Sequence, residues 1–194
     1  MNKKRGRVII VSGPSGSGKT TLYKKLLASK KLKNVLAKSI SVTTREQRVG
    51  EKQGRDYVFV SRKMFEFKKH SGHFLESMKV FDNYYGTPKK SVNDLLKTGK
   101  NVLLCIDVKG ASVVCRKIPK SIRVFIKTPS MEVLKKRLQA RGSESEQTAK
   151  LRLKTAKEEL KQAKNYDYVV VNDNINTAYR RLESIILSLF ERQV

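Results

Sequence analysis

The chain has 194 residues, a length that buries a substantial core as one compact domain. Apolar residues make up 39% and charged residues 31%, which excludes wholesale disorder. The 43 Lys and Arg outnumber the 17 Asp and Glu, for a formal net charge of +26; this favours phosphorylated or polyanionic partners without choosing among nucleotides, nucleic acid and anionic membrane.

Short β-branched runs alternate with helical patterns, the arrangement of a parallel sheet covered by helices. Strands are predicted at Arg7–Ser12, Asn101–Asp107, Ser121–Lys127 and Tyr168–Val171, each a near-continuous apolar run suited to burial on both faces. Helices are predicted near Gly18–Ser29, Lys109–Lys117, Ser130–Arg141 and Asn176–Arg192, with Ser130 as an N-cap and Val133, Leu134 and Leu138 as an apolar stripe. Two regions break the rhythm. Ser39–Thr87 reads as an antiparallel insertion with a strand at Asp56–Val60, a helix at Ser61–His70 and a strand at Phe74–Val80. Gly142–Leu160 is polar and helical, with little in its first half to anchor it, and reads as a mobile flap.

Several features carry no special chemistry. Two cysteines, Cys105 and Cys115, exclude a disulfide framework or a four-thiolate zinc site and suit a reducing cytosol. His70 and His73 lack a third ligand nearby for a metal. Leu182, Ile185, Ile186 and Leu189 sit at the spacing of a helix docked on a core. No apolar run approaches the roughly 18 residues of a membrane helix, and Val8–Val11, after the basic start, is too short for a secretory signal. A cytoplasmic location is expected.

The strongest local signal is Gly13-Pro14-Ser15-Gly16-Ser17-Gly18-Lys19-Thr20, which matches G-x-x-x-x-G-K-[ST] between a predicted strand and a predicted helix beginning with Thr21. Glycines let the backbone fold N–H groups around phosphate oxygens, and the helix N-terminus adds positive potential. Lys19 is placed to reach the β- and γ-phosphates of a nucleoside triphosphate, and Thr20 to ligate Mg²⁺. Within the insertion, Arg45 and Arg48 lie three residues apart with Tyr57 and Tyr85 further on; together they can form a fork for a phosphate monoester. Singly, each is also explained as a surface charge or a packing residue.

The joint pattern resembles the guanylate kinases, from Val8 to about Tyr179. The resemblance rests on the phosphate loop, on Thr43-Thr44-Arg45-x-x-Arg48-x-Gly50-Glu51-x-x-Gly54-x-Asp56-Tyr57-x-Phe59 and on Tyr84-Tyr85-Gly86-Thr87. It implies Mg²⁺-dependent phosphoryl transfer from ATP to GMP, giving ADP and GDP. It also implies an α/β, three-layer P-loop kinase fold with a parallel core sheet, an inserted mixed GMP-binding lobe and a short helical lid. The expected organisation is core at 1–38, GMP-binding lobe at 39–88, core at 89–136, lid at 137–160 and core at 161–194.

By the same resemblance, Arg45, Arg48, Tyr57 and Tyr85 bind the GMP phosphate, while Ser41, Glu76 and Thr87 contact guanine. The chemistry of Glu76 stands independently: a carboxylate accepts from guanine N1–H and N2–H and repels the N1 lone pair of adenine. ATP is expected on Gly13, Pro14, Ser15, Gly16, Ser17, Gly18, Lys19, Thr20 and Thr21, with Arg137, Arg141 and Asn172. Lys19, Arg137, Arg141 and Arg152 are the expected catalytic groups, because phosphoryl transfer needs positioning and charge stabilisation more than a nucleophile. Asp107 either orders Mg²⁺-bound water or caps the following helix. At Cys105 many family members carry an acidic residue that assists guanine recognition, and a thiol offers no comparable acceptor. The competing readings are a guanylate-kinase-like scaffold for a protein partner and, from charge alone, a nucleic-acid-binding protein. The surplus of positive charge leads us to expect only salt-sensitive, non-specific binding to polyanions.

Overall fold

Val8–Ser12 forms β1, and all five residues are buried, as a β-branched run between two neighbours requires. The computed structural model describes residues 5–80, 82–140 and 146–191. In chain order, α1 (Lys19–Ala28), β2 (Leu36–Lys38), β3 (Val42–Thr43), β4 (Val58–Phe59), α2 (Arg62–His70), β5 (Phe74–Val80) and β6 (Asn83–Pro88) follow β1. Next come α3 (Lys89–Lys97), β7 (Asn101–Cys105), α4 (Val108–Lys117), β8 (Ile122–Lys127), α5 (Met131–Gln139), α6 (Glu146–Lys161), β9 (Tyr168–Val171) and α7 (Ile175–Glu191). A 3₁₀ turn, Gln162–Asn165, joins α6 to β9.

The parallel sheet has the order β2-β7-β1-β8-β9 and the second sheet the order β4-β3-β6-β5. Contacts divide the chain into two compact units. One comprises the residues up to Val8 with Val35–Leu104 and Lys109–Ser121; the other comprises Ile9–Asn34, Cys105–Val108 and the chain from Ile122 onward.

In the first unit, β2 runs parallel to β7 with Leu36 opposite Asn101. The mixed sheet packs on α2 through Val42, Phe65 and Phe74, with the Phe65 and Phe74 rings stacked 4.7 Å apart. Ser61 caps α2 by accepting from the Met64 N–H at 3.2 Å. The insertion is not wholly antiparallel as predicted. β3 and β4 are parallel, because the Val58 and Val60 N–H groups donate to Ser41 O and Thr43 O, each at 2.9 Å. β6 carried no strand prediction, since its Gly86 and Pro88 weaken a strand pattern.

In the second unit, β1 pairs with β8 and β8 with β9, all parallel. Leu22 and Leu26 of α1 and Ala178, Leu182 and Ile186 of α7 are buried, as the apolar spacing of the last helix predicts. Ser130 caps α5 at the Val133 N–H, at 3.3 Å. Helix α6 begins its described course at Glu146, and Leu153 and Ala156 pack on Leu134 and Leu138 of α5. The second half of the polar segment is therefore anchored, while the flap residues 142–145 lie outside the described residues. Among the described residues, no helix is long and apolar enough to cross a membrane.

Candidate active site

The phosphate loop begins where β1 stops. Gly13 turns the chain at φ 140°, and a Cβ there would stand 2.1 Å from the Ile126 carbonyl oxygen on β8, so only glycine fits. The Ser17 N–H donates to Pro14 O at 3.1 Å, closing the turn. Gly18, at φ 87°, is the N-cap of α1, and its carbonyl accepts from the Leu22 N–H at 3.1 Å. The first N–H groups of α1 therefore open at the loop, where the helix dipole is positive. The Lys19 ammonium folds back on Pro14 O at 3.2 Å. Thr20 and Thr21 are exposed, while the Ser12 and Ser17 hydroxyls are buried without a hydrogen-bond partner among the described residues.

Cys105, at the end of β7, lies beside Lys19 and Thr20 of the phosphate loop. Burial pushes its thiol pKa up, against the opposing pull of the Lys19 charge and a hydrogen bond with Thr20. The thiol, which the sequence marks as no substitute for an acidic guanine ligand, is set against the phosphate loop. β7 ends two residues before its predicted limit, and Asp107 immediately precedes α4.

Arg137 on α5 donates from Nη2 to the main-chain oxygens of Asn172 and Asp173, at 3.0 and 3.3 Å. Asn172 is 2% exposed, and its Nδ2 donates to Ser17 O at 2.8 Å. A cavity of about 390 Å³ is lined by Gly16, Gly18, Thr21, Arg137, Ala140, Asn172 and Ile175. Arg152 is half-buried on α6, while Arg141 lies outside the described residues. Lys135 and Lys136 are exposed, as a basic run on a solvated face should be. Among the described residues, no group of three His, Cys, Asp or Glu gathers as a metal site. The Thr20 hydroxyl is a hard oxygen beside the loop. One such donor fits Mg²⁺, which fills most of its shell with phosphate and water oxygens.

The first unit carries the residues expected to meet GMP. Glu76 on β5 is 5% exposed, Thr87 on β6 is fully buried, and the two sit opposite each other in the strand register. The Thr87 hydroxyl donates to Glu76 Oε1 at 2.6 Å. Gly86 is glycine for steric reasons, since a Cβ would lie 2.8 Å from the Phe74 ring. Val42 pairs with Gly86, which puts Ser41 and Thr87 one residue beyond that pair on the same side.

Arg45 follows β3. Its Nη2 donates to both oxygens of Glu51, at 2.8 and 2.9 Å, and its guanidinium lies 5.5 Å from the Tyr57 ring centroid. Tyr57 meets Tyr85 edge-on, with centroids 6.1 Å apart. Burial opposes the Arg45 charge, but hydrogen bonding to Glu51 and the field of Tyr85 outweigh it and raise the pKa. Three of the four predicted phosphate ligands thus cluster. The Arg48 side chain is exposed, and the backbone N–H of that residue donates to Glu51 Oε2 at 3.0 Å. The motif assigns no role to Glu51; its opposite charge three residues after Arg48 is the sequence signal that points to it.

A glycine-lined turn between a buried parallel strand and a helix N-terminus defines the chain as a phosphate-loop nucleotide-binding protein. The comparisons narrow this. The family model described as "Guanylate kinase" matches residues 5–189. A guanylate kinase of Caldanaerobacter subterraneus subsp. tengcongensis is 44% identical over 186 residues, covering 96% of this chain and 89% of the relative. One of Rickettsia felis is 41% identical over 190 residues, covering 98% and 97%. The crystal structure of guanylate kinase from Anaplasma phagocytophilum superposes with a TM-score of 0.79 at 36% identity, covering 97% of this chain and 88% of that one. The chain belongs to the guanylate kinase family, a family of kinases.

Proposed function

We propose that the chain transfers the γ-phosphoryl group of ATP to GMP, giving ADP and GDP. The observation that carries this reading is the buried Glu76–Thr87 pair. A carboxylate kept out of water and oriented by a hydroxyl is an acceptor for the adjacent N1–H and N2–H of guanine. Adenine offers an N1 lone pair there, and a site built for donors rejects it. Ser41 joins this pair in our assignment. Arg45, Arg48, Tyr57 and Tyr85 take the GMP phosphate, with the planar guanidinium of Arg45 suited to two phosphate oxygens at once.

On the donor side, the backbone and side chains from Gly13 to Thr21 receive the ATP phosphates, and Lys19 neutralises the β- and γ-groups. Asn172 belongs to the donor pocket. Residues 137–160 act as the lid, 39–88 as the GMP-binding lobe, and the remainder as core. A GMP phosphate oxygen forms a bond to the γ-phosphorus while the bond from that phosphorus to the ADP oxygen breaks. Four charges assist: Lys19, Arg137, Arg141 and Arg152 offset the phosphate repulsion as the transfer occurs, a contribution of about 10³–10⁵ in rate for an arginine in related chemistry. Mg²⁺ would be held by Thr20, with Asp107 through water, and would supply positive charge that offsets the charge of the phosphates. The two free thiols suit a reducing, cytoplasmic setting.

A coupled assay of ADP formation from MgATP tests this, with GMP, AMP, CMP and UMP offered separately. Turnover with GMP alone, lost in Lys19→Ala and blunted in Glu76→Gln, is the expected result. Folded protein with no turnover on any monophosphate would overturn the enzyme reading in favour of a scaffold; turnover on several bases would overturn the role of Glu76.

A further inference from the structure

We propose that Asn172 is a positioning residue that holds the phosphate loop in shape, and that it acts on the donor through Ser17 rather than by reading the donor's base. The proposal rests on the loop being the ATP site.

Asn172 is the first residue after β9 and is itself held firmly. Its N–H donates to Lys127 O at 2.7 Å, extending the β8–β9 ladder in which Lys127 pairs with Val171. From this anchored position two further bonds leave in different directions. The side-chain amide donates to Ser17 O across 155 residues of sequence, and the main-chain oxygen accepts from Arg137. One residue thus ties the last strand of the sheet to the phosphate loop and to an arginine on α5.

The fit to the loop is close. Ser17 is fully buried, and a Cβ on Gly18 would fall 2.1 Å from Asn172 Nδ2. The amide therefore packs against the last glycine of the loop while bonding the carbonyl before it. A trans peptide points its C=O and N–H in opposite directions. Pinning the Ser17 carbonyl to Asn172 therefore aims the Gly18 N–H away from Asn172 and fixes one donor of the loop. That peptide otherwise has freedom to rotate, because Gly18 sits at φ 87° with no side chain to hold it. Asparagine suits the task, since it donates to the carbonyl where aspartate would oppose it with a second acceptor.

The alternative is that Asn172 contacts the donor's base through Oδ1, which has no partner among the described residues. Inorganic tripolyphosphate separates the two, because it presents the phosphates with no base. Calorimetry would measure binding of MgATP, magnesium tripolyphosphate and GMP to the full chain and to Asn172→Ala. That variant keeps the main-chain oxygen that seats Arg137. Positioning through Ser17 predicts that MgATP and tripolyphosphate weaken by the same factor, about tenfold for a lost hydrogen bond that strands a buried carbonyl. GMP affinity should stay close to wild type, while the melting temperature should fall by a few degrees, as a stranded buried carbonyl implies. Loss of MgATP affinity with tripolyphosphate unchanged would overturn the proposal and make Asn172 a base contact. Weakening of GMP as well, or no change in any ligand, would overturn it too. If Asn172→Ala does not fold, Asn172→Leu carries the same comparison with the side-chain volume retained, the donor removed and no charge added. Wild-type protein that binds neither MgATP nor tripolyphosphate would instead overturn the ATP-site reading, and the proposal with it.

Discussion

Thr87 Oγ1 lies 2.6 Å from Glu76 Oε1, across a register in which the two residues face each other on β5 and β6. The hydroxyl donates and the carboxylate accepts, so the threonine orients the acceptor that we propose selects the base. Thr87→Val keeps the shape and removes the donor. It should raise the KM for GMP about tenfold, the scale of a buried hydrogen bond to a charged group, and leave the KM for ATP near wild type. Steady-state kinetics with each substrate varied would check this.

Arg45 and Glu51 form a second coupled pair, in a loop that Glu51 also braces through the Arg48 N–H. Glu51→Gln should loosen Arg45 and raise the KM for GMP several-fold. The pair also has a pH signature. Burial tends to raise the Glu51 pKa, but the Arg48 N–H and the Arg45 guanidinium outweigh it and hold the carboxyl below its usual range. A depressed folded pKa gives stability that is present above the ordinary carboxylate pKa and lost as pH falls through the depressed value. The wild type should therefore exceed Glu51→Gln by about 1 kcal/mol or less at neutral pH, and the gap should close in acid. Denaturant melts at a series of pH values from neutral to acid would show it.

Gly13→Ala places a methyl 2.1 Å from the Ile126 carbonyl oxygen at a φ of 140°, so β1 and β8 must part or the loop must refold. A loss of about 3 kcal/mol or more is expected from strain and clash together, with MgATP binding lost. Thermal melts and calorimetry would read the two effects separately.

Leu138→Ala should loosen α6 from its support on α5. Leu138 packs with Leu134, Leu153 and Ala156, so the truncation removes contacts that hold α6 to α5. Stability should fall by about 2–5 kcal/mol. If α6 delivers Arg152 to the transfer step, kcat should fall more than the affinity for GMP does. Kinetics at a temperature where the variant remains folded, beside direct GMP titration, would test this.

Much of the donor site was legible because its determinants are consecutive. Gly13 to Thr20 states its own backbone demands, and the apolar runs on either side announce the strand and the helix. The spaced motif proposes the acceptor residues as a set, and the chemistry of guanine proposes Glu76. The sequence by itself therefore determined the family, the phosphate loop and the residues we propose for each substrate. It could not place Cys105, because only the packing of β7 decides whether its last side chain meets a base or the Lys19–Thr20 turn. Nor could it pair Glu51 with Arg45, make β3 and β4 parallel, or join Asn172 to Ser17. Those relationships belong to the tertiary structure. Periodicity and loop motifs record what each segment requires of its own backbone, whereas contacts between distant side chains are set by strand register and shared burial.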